Sequence, residues 1–249
     1  MTSGPDCRLH DGVYPRDRLG WVRPVAQFAL RRRWHVTLHG EDQVPATGPV
    51  ILASNHVGLI DGPLLAVYGP RPVHALTKRE MFAGPAGPLL RAAGQIRLDR
   101  DRADPAAIKA CIRVLDAGEV AGISPEGTRG AGQWQQIRRG AAYLALVSGA
   151  PVVPVTMFGT RDPGGAKSSL PAAGGSIDIV YGEPWQMQPV TWPRTREQVG
   201  AASALLHEHL RAETARAHDL TGRVLPGPLP AGESTKDPGQ GPVNKEHHD

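Results

Sequence analysis

The sequence predicts a single α/β domain with a central mixed, mostly parallel sheet covered by helices. Three observations carry that prediction. Short apolar runs alternate with helix-patterned stretches through residues 34–223, the order from which a covered sheet is built. The 249 residues are enough to bury a sizeable core. Hydrophobic residues make up 40% and aromatic ones 5%, so that core is mainly Ala, Val, Leu and Ile.

The first element lies between Arg16 and Trp34. Arg16, Arg18, Arg23, Arg31, Arg32 and Arg33 stand there against one acid, Asp17. Trp21, Val25 and Phe28 are spaced i, i+4, i+7, which is one face of a helix. Basic residues beside such a face suit a helix lying on an anionic bilayer. The same stripe could equally pack a surface helix onto the domain. Residues 1–33 are therefore read as an amphipathic N-terminal segment with membrane contact as one of two roles.

Trp34–Leu38 and Pro49–Ala53 read as strands. Gly62–Tyr68 reads as a helix with Pro63 in its first turn. Val73–Leu76 and Gln95–Leu98 are short strands. Pro105–Ala117 is a helix capped by Asp104, opened by Pro105 and ended by Gly118. Ile108, Cys111, Ile112 and Leu115 share one side of it, which places Cys111 in the core. Val120–Ile123 is a strand and Arg139–Ser148 a helix closed by Gly149. Pro151–Phe158 and Ile177–Tyr181 are further strands. The last helix starts at Thr195, where Gln198 completes a capping box, and stops at Gly222. Pro163–Gly175 reads as a flexible loop. Residues 224–249 read as a tail that is disordered from Pro226 onward, being rich in Gly and Pro with almost nothing to bury.

Composition excludes several classes. Two cysteines, Cys7 and Cys111, cannot form a disulfide scaffold or a Cys-rich metal site. No apolar run reaches the ~18 residues of a membrane span, and the N-terminus has no secretory-signal pattern. The net charge of +4 admits phosphate-bearing partners, but no recognised nucleic-acid motif accompanies it. Gly164-Gly165-Ala166-Lys167-Ser168 lacks the spacing of a phosphate loop. His247-His248-Asp249 falls in the tail and makes a poor metal site.

Two blocks carry chemistry. Ser54 to Pro63 sits where a strand runs out and a helix begins. His56 can move a proton near neutral pH. Asp61, five residues on, can accept from one ring nitrogen, set the tautomer and leave the other nitrogen as a base. The alternative for Asp61 is a plain helix cap. The second block is Ile123 to Gly130. Gly127 and Gly130 permit close backbone approach, Arg129 offers a planar fork for phosphate or carboxylate, Thr128 adds a hydroxyl, and Glu126 can hold Arg129 or a substrate hydroxyl. Its alternative is a turn with a salt bridge. Between the blocks, Lys78 and Arg100 belong to a basic stretch that could form a cationic rim. No Gly-x-Ser-x-Gly elbow supplies a protein nucleophile, so the substrate would bring its own.

In this order the blocks resemble the glycerolipid acyltransferase family. Asn55, His56 and Asp61 match its Asn-His-x4-Asp block, Lys78 with Asp99-Arg100 its second, Pro125 to Arg129 its Pro-Glu-Gly-Thr-Arg block, and Val153-Pro154-Val155 its fourth. The first and third, about 70 residues apart, are specific as a pair. This chain has Gly58 and Gly130 where the family often has Ser. The resemblance implies an O-acyltransferase that moves a fatty acyl group from acyl-CoA or acyl-carrier protein to the hydroxyl of a lysophospholipid, chiefly 1-acylglycerol 3-phosphate, giving phosphatidic acid. It implies His56 as general base oriented by Asp61. It also implies that Glu126, Gly127, Thr128 and Arg129 bind the glycerol phosphate with Arg100 or Lys78, and that the co-substrate thioester replaces any cofactor. Peripheral placement at the cytoplasmic face of an anionic membrane follows. The alternatives are another acceptor, such as glycerol 3-phosphate or a glycolipid, and a non-catalytic lipid-binding module.

Overall fold

The structure, a computed structural model, describes residues 16–233. Within them, β1 (His35–His39), β2 (Val50–Ser54), β3 (Val73–Lys78), β4 (Ile96–Leu98), β5 (Val120–Ile123), β6 (Val152–Phe158) and β7 (Ser176–Tyr181) form one sheet. The strand order is β1-β7-β6-β2-β5-β3-β4. Every neighbouring pair is parallel except β6–β7, so the sheet is mixed and mostly parallel as expected.

The central strand shows why these residues form it. β2 reads Val-Ile-Leu-Ala-Ser and is buried at every position, as a parallel strand covered on both faces must be. Its alternate side chains serve opposite cores. Ile51 and Ala53 pack under α5 (Pro105–Asp116), α6 (Gly140–Ser148) and α7 (Arg196–Thr221). Val50 and Leu52 pack under α2 (Asp61–Tyr68), with Leu30 of α1 (Arg23–Arg33) at the edge. Asp104 caps α5 through the Ala107 N–H, and Thr195 and Gln198 form the capping box of α7. Cys111 is fully buried in the first core, and burial pushes its thiol up to about 12.

Element limits fall within a residue or two of the sequence reading. Two helices were not foreseen, α3 (Arg79–Ala83) and α4 (Gly87–Ala92). Both are too short to show a helical period, and the intervening Gly84-Pro85-Ala86-Gly87-Pro88 reads as a break although Pro88 sits comfortably in the first turn of α4. The 163–175 loop, read as flexible, is fastened. The Trp34 indole N–H donates to the Pro171 and Ala172 carbonyls, and Arg161 donates to the Gly165 carbonyl. The described start of the tail is fastened too, with Pro226 buried and the Gly227 carbonyl accepting from Arg161. A buried guanidinium needs acceptors, and that need is invisible in the local composition. Residues 1–15 with Cys7, and 234–249 with His247 and His248, lie outside the described residues.

α1 docks through Leu30 and through polar groups, with Arg23 and Gln27 donating to carbonyls at the C-terminal end of α2. Trp21, Val25 and Phe28 remain 79%, 64% and 67% exposed, so the apolar stripe does not pack on the domain.

β2 and β5 are neighbours, yet α2 and α6, the helices that follow them, lie on opposite faces. The carboxyl ends of adjacent strands whose connections diverge leave a crevice. Both sequence blocks sit at that crevice.

Candidate active site

The chain leaves β2 through Asn55, which is fully buried. Its side-chain amide pairs with both backbone groups of Met157, at 2.9 and 3.1 Å, and so extends β2 along β6 by one more rung. His56 follows at the rim. Asp61 Oδ2 accepts from His56 Nδ1 at 2.8 Å and from the Val57 and Gly58 N–H groups at 2.7 and 2.9 Å. Its carboxylate is 2% exposed, and its side chain caps no group of α2. The turn-holding role therefore displaces the helix-cap alternative. With Nδ1 committed to the carboxylate, Nε2 is the ring nitrogen left for chemistry.

Glu126 comes from the loop after β5. Its Oε2 accepts the His56 backbone N–H at 2.8 Å and its Oε1 the Trp134 N–H at 3.1 Å. The Gly130 N–H donates to the His56 carbonyl at 2.9 Å. The two blocks thus meet through the His56 peptide. Burial pushes Glu126 up to about 7, opposed by those two N–H bonds and assisted by the charge of Asp61. No Glu126–Arg129 salt bridge forms among the described residues, and both carboxylate oxygens face backbone donors. Glu126 is accordingly placed as a brace behind His56, where the sequence reading had it holding Arg129 or meeting a substrate hydroxyl.

His56, Lys78, Arg100 and Arg129 line one cavity of about 340 Å³. Arg129 donates to the Lys167 carbonyl at 2.8 Å and Arg100 to the Gly127 carbonyl at 2.8 Å, which orients both forks. Gly127 itself has φ +73°, and a side chain there would run into Arg138. Glu126, Gly127 and Thr128 do not line the cavity, so of the expected binding block only Arg129 reaches it. Ser54 and Ser124, whose hydroxyls pair at 3.1 Å, form a polar floor beside His56. Much of the remaining lining is apolar, with Val22, Ala26, Leu65, Val67, Leu76 and Leu90 among it, alongside Asp17, Arg23, Thr77 and Gln95. Leu59, Met81 and Leu89 stand at the lining and are 41%, 45% and 61% exposed. A base, four cations and a largely apolar lining in one cavity suit a molecule with a hydroxyl, an anionic group and a hydrocarbon chain.

Arg161 was missed by the sequence reading. It is 1% exposed, and its guanidinium donates to the carbonyls of Val57, Gly130, Gly165 and Gly227. It ties the residue after His56 to the residue after Arg129. An Arg three residues past a fully buried strand was the available signal. Gly58 also gains a reason, since a Cβ there would stand 2.2 Å from the Thr160 carbonyl oxygen. The loop rejected as a phosphate site instead supplies the carbonyl that orients Arg129. No group of His, Cys, Asp and Glu residues that could hold a metal occurs among the described residues, nor is any helix there long and apolar enough to cross a membrane.

Comparison with known proteins bears on the family and the fold. The model of the Acyltransferase family matches residues 35–158. A protein of Bacillus subtilis named 1-acyl-sn-glycerol-3-phosphate acyltransferase is 28% identical over 184 residues, covering 73% of this chain and 89% of that one. The sheep 1-acyl-sn-glycerol-3-phosphate acyltransferase alpha is 33% identical over 134 residues, where the match spans 46% of its length and 51% of this chain. The crystal structure of the 1-acyl-sn-glycerophosphate acyltransferase of Thermotoga maritima superposes with a TM-score of 0.60 at 22% identity, covering 80% of each chain. That last likeness is one of fold.

Proposed function

The chain belongs to the glycerolipid acyltransferase family and is an acyltransferase, and from that premise we propose that it acylates the free hydroxyl of a lysophospholipid, 1-acylglycerol 3-phosphate first among them, from an acyl thioester of CoA or acyl-carrier protein. One observation supports this most. His56, oriented by Asp61, shares a cavity with Lys78, Arg100 and Arg129 whose lining is otherwise largely apolar. In the proposed step His56 Nε2 takes the proton of the acceptor hydroxyl as its oxygen attacks the thioester carbonyl carbon. The C–S bond then breaks, and the imidazolium returns its proton to the departing thiolate. The ester and a free thiol result, with no group outside the two substrates consumed. Asp61 stabilises the imidazolium that forms in between. Proton removal of this kind contributes ~10²–10⁴-fold, and holding both substrates together contributes ~7–11 kcal/mol. The cations would hold the acceptor phosphate, with Arg129 the planar fork.

The exposed Trp21, Val25 and Phe28, with Arg32 one helical turn beyond Phe28, support work at an anionic membrane surface. The deciding assay is thiol release from acyl-CoA across a panel of lysophospholipids, glycerol 3-phosphate and glycolipid acceptors. 1-Acylglycerol 3-phosphate should react fastest, and His56→Ala should lose nearly all of that rate while still binding vesicles. A His56→Ala protein with full transfer removes this base from the reaction, and a preference for an acceptor without phosphate overturns the assignment of the cationic end.

A further inference from the structure

Trp134 is the one non-glycine residue with positive φ among the described residues, at +55°. A bulky side chain in that region is strained and persists only where its surroundings hold it. Here they hold it on every polar group. The Trp134 N–H donates to Glu126 Oε1 at 3.1 Å, its indole N–H donates to Thr214 Oγ1 at 2.7 Å, and its carbonyl accepts from His207 Nε2. The ring is 1% exposed. Thr214 and His207 both lie on α7, and the Thr214 hydroxyl also reaches Thr156 of β6 at 3.2 Å. From Trp134 the path needs only one more group, because the other oxygen of Glu126 receives the His56 N–H at 2.8 Å.

We infer that α7 positions His56 through a strut of Thr214, Trp134 and Glu126, so that a helix lying beyond the family-matched residues 35–158 sets where the base stands. The inference rests on the reading of His56 as general base. Trp134 and Thr214 touch no substrate in this scheme and are absent from the cavity lining; they are positioning residues. The geometry makes sense of the strain. A left-handed backbone at residue 134 turns its N–H toward Glu126 while its indole points back to α7, and an unstrained residue would give up one of the two bonds.

Thr214→Val removes the acceptor of the indole N–H and keeps the shape, and Thr214→Ser restores it. The strut predicts that Thr214→Val lowers kcat by about 10- to 100-fold, the range expected for a misplaced catalytic group. It predicts an acceptor KM within about twofold of the parent and recovery in Thr214→Ser. Amide hydrogen exchange at His56, read in the same proteins, should speed up at least about tenfold in Thr214→Val. In a Glu126→Gln background the same substitution should add little to either effect, since the path is already cut. Trp134→Phe, which keeps an aromatic side chain though a smaller one and loses the indole N–H, should repeat the result if Thr214→Val folds poorly. Unchanged His56 exchange in both variants overturns the strut, as does a full additional loss of kcat in the Glu126→Gln background. Faster exchange with unchanged kcat leaves the strut standing and instead overturns His56 as the base.

Discussion

Replacing Glu126 by Gln separates two properties of this carboxyl group, its bracing of two backbone amides and its charge in a site with little water. Burial moves it from an ordinary 4.5 to about 7. In the unfolded chain it titrates near its ordinary value, so the folded protein holds the proton more tightly than the unfolded one. Folding is therefore favoured by this group below about pH 4.5, and the advantage is lost as pH rises through about 7. The gap between those values converts to about 3 kcal/mol. Gln carries no charge at any of these pH values. Its amide turns an NH2 toward either the His56 or the Trp134 N–H, which lowers stability by an amount independent of pH. Urea unfolding of both proteins from about pH 4 to about pH 8 measures the difference directly. The wild-type advantage should shrink by about 3 kcal/mol across that range. Parallel stability curves would refute the argument, because they would mean that Glu126 titrates alike folded and unfolded.

Three further outcomes follow from named contacts. Asp61→Asn should lower kcat by about 10³-fold or more in the thiol-release assay while the protein stays folded, because the imidazolium loses its charged partner; a loss confined to KM would contradict the role. Gly58→Ser should destabilise the protein by about 1–3 kcal/mol in urea unfolding, since its Cβ meets the Thr160 carbonyl oxygen at 2.2 Å, and a neutral effect would show that the 159–161 turn yields easily. Replacing Trp21 and Phe28 together by Ser should weaken co-sedimentation with anionic vesicles several-fold without changing the melting temperature, as both side chains are exposed; equal co-sedimentation would take α1 out of membrane contact.

Much of the scaffold was legible because it is written in short-range chemistry. The wholly apolar Val50–Ala53 run, the largely apolar Val152–Phe158 run, the Asp104 cap and the Thr195 capping box each act through neighbours in sequence. The His56–Asp61 pair was legible for the same reason, since a five-residue turn brings the two together. The helices α3 and α4 were hidden by their brevity and by glycines and prolines that read as breaks. Glu126 shows the limit within a single block. Its neighbour Arg129 reaches the cavity as expected, while its own side chain turns inward to the backbone of residues 56 and 134.

What the sequence determined alone was the class of chemistry. A histidine with an acid at turn spacing and an arginine-bearing glycine turn, each at the end of an apolar run, point to proton transfer beside an anion once the two are read as a pair. Only the tertiary structure decided which of these groups line the cavity and which turn inward to hold the backbone. Arg161 gathers the carbonyls of residues 57, 130, 165 and 227, and α7 reaches Trp134 from 73 and 80 residues away. A buried polar group must find its partners wherever the fold brings them, and the separation of those partners along the chain carries no local trace.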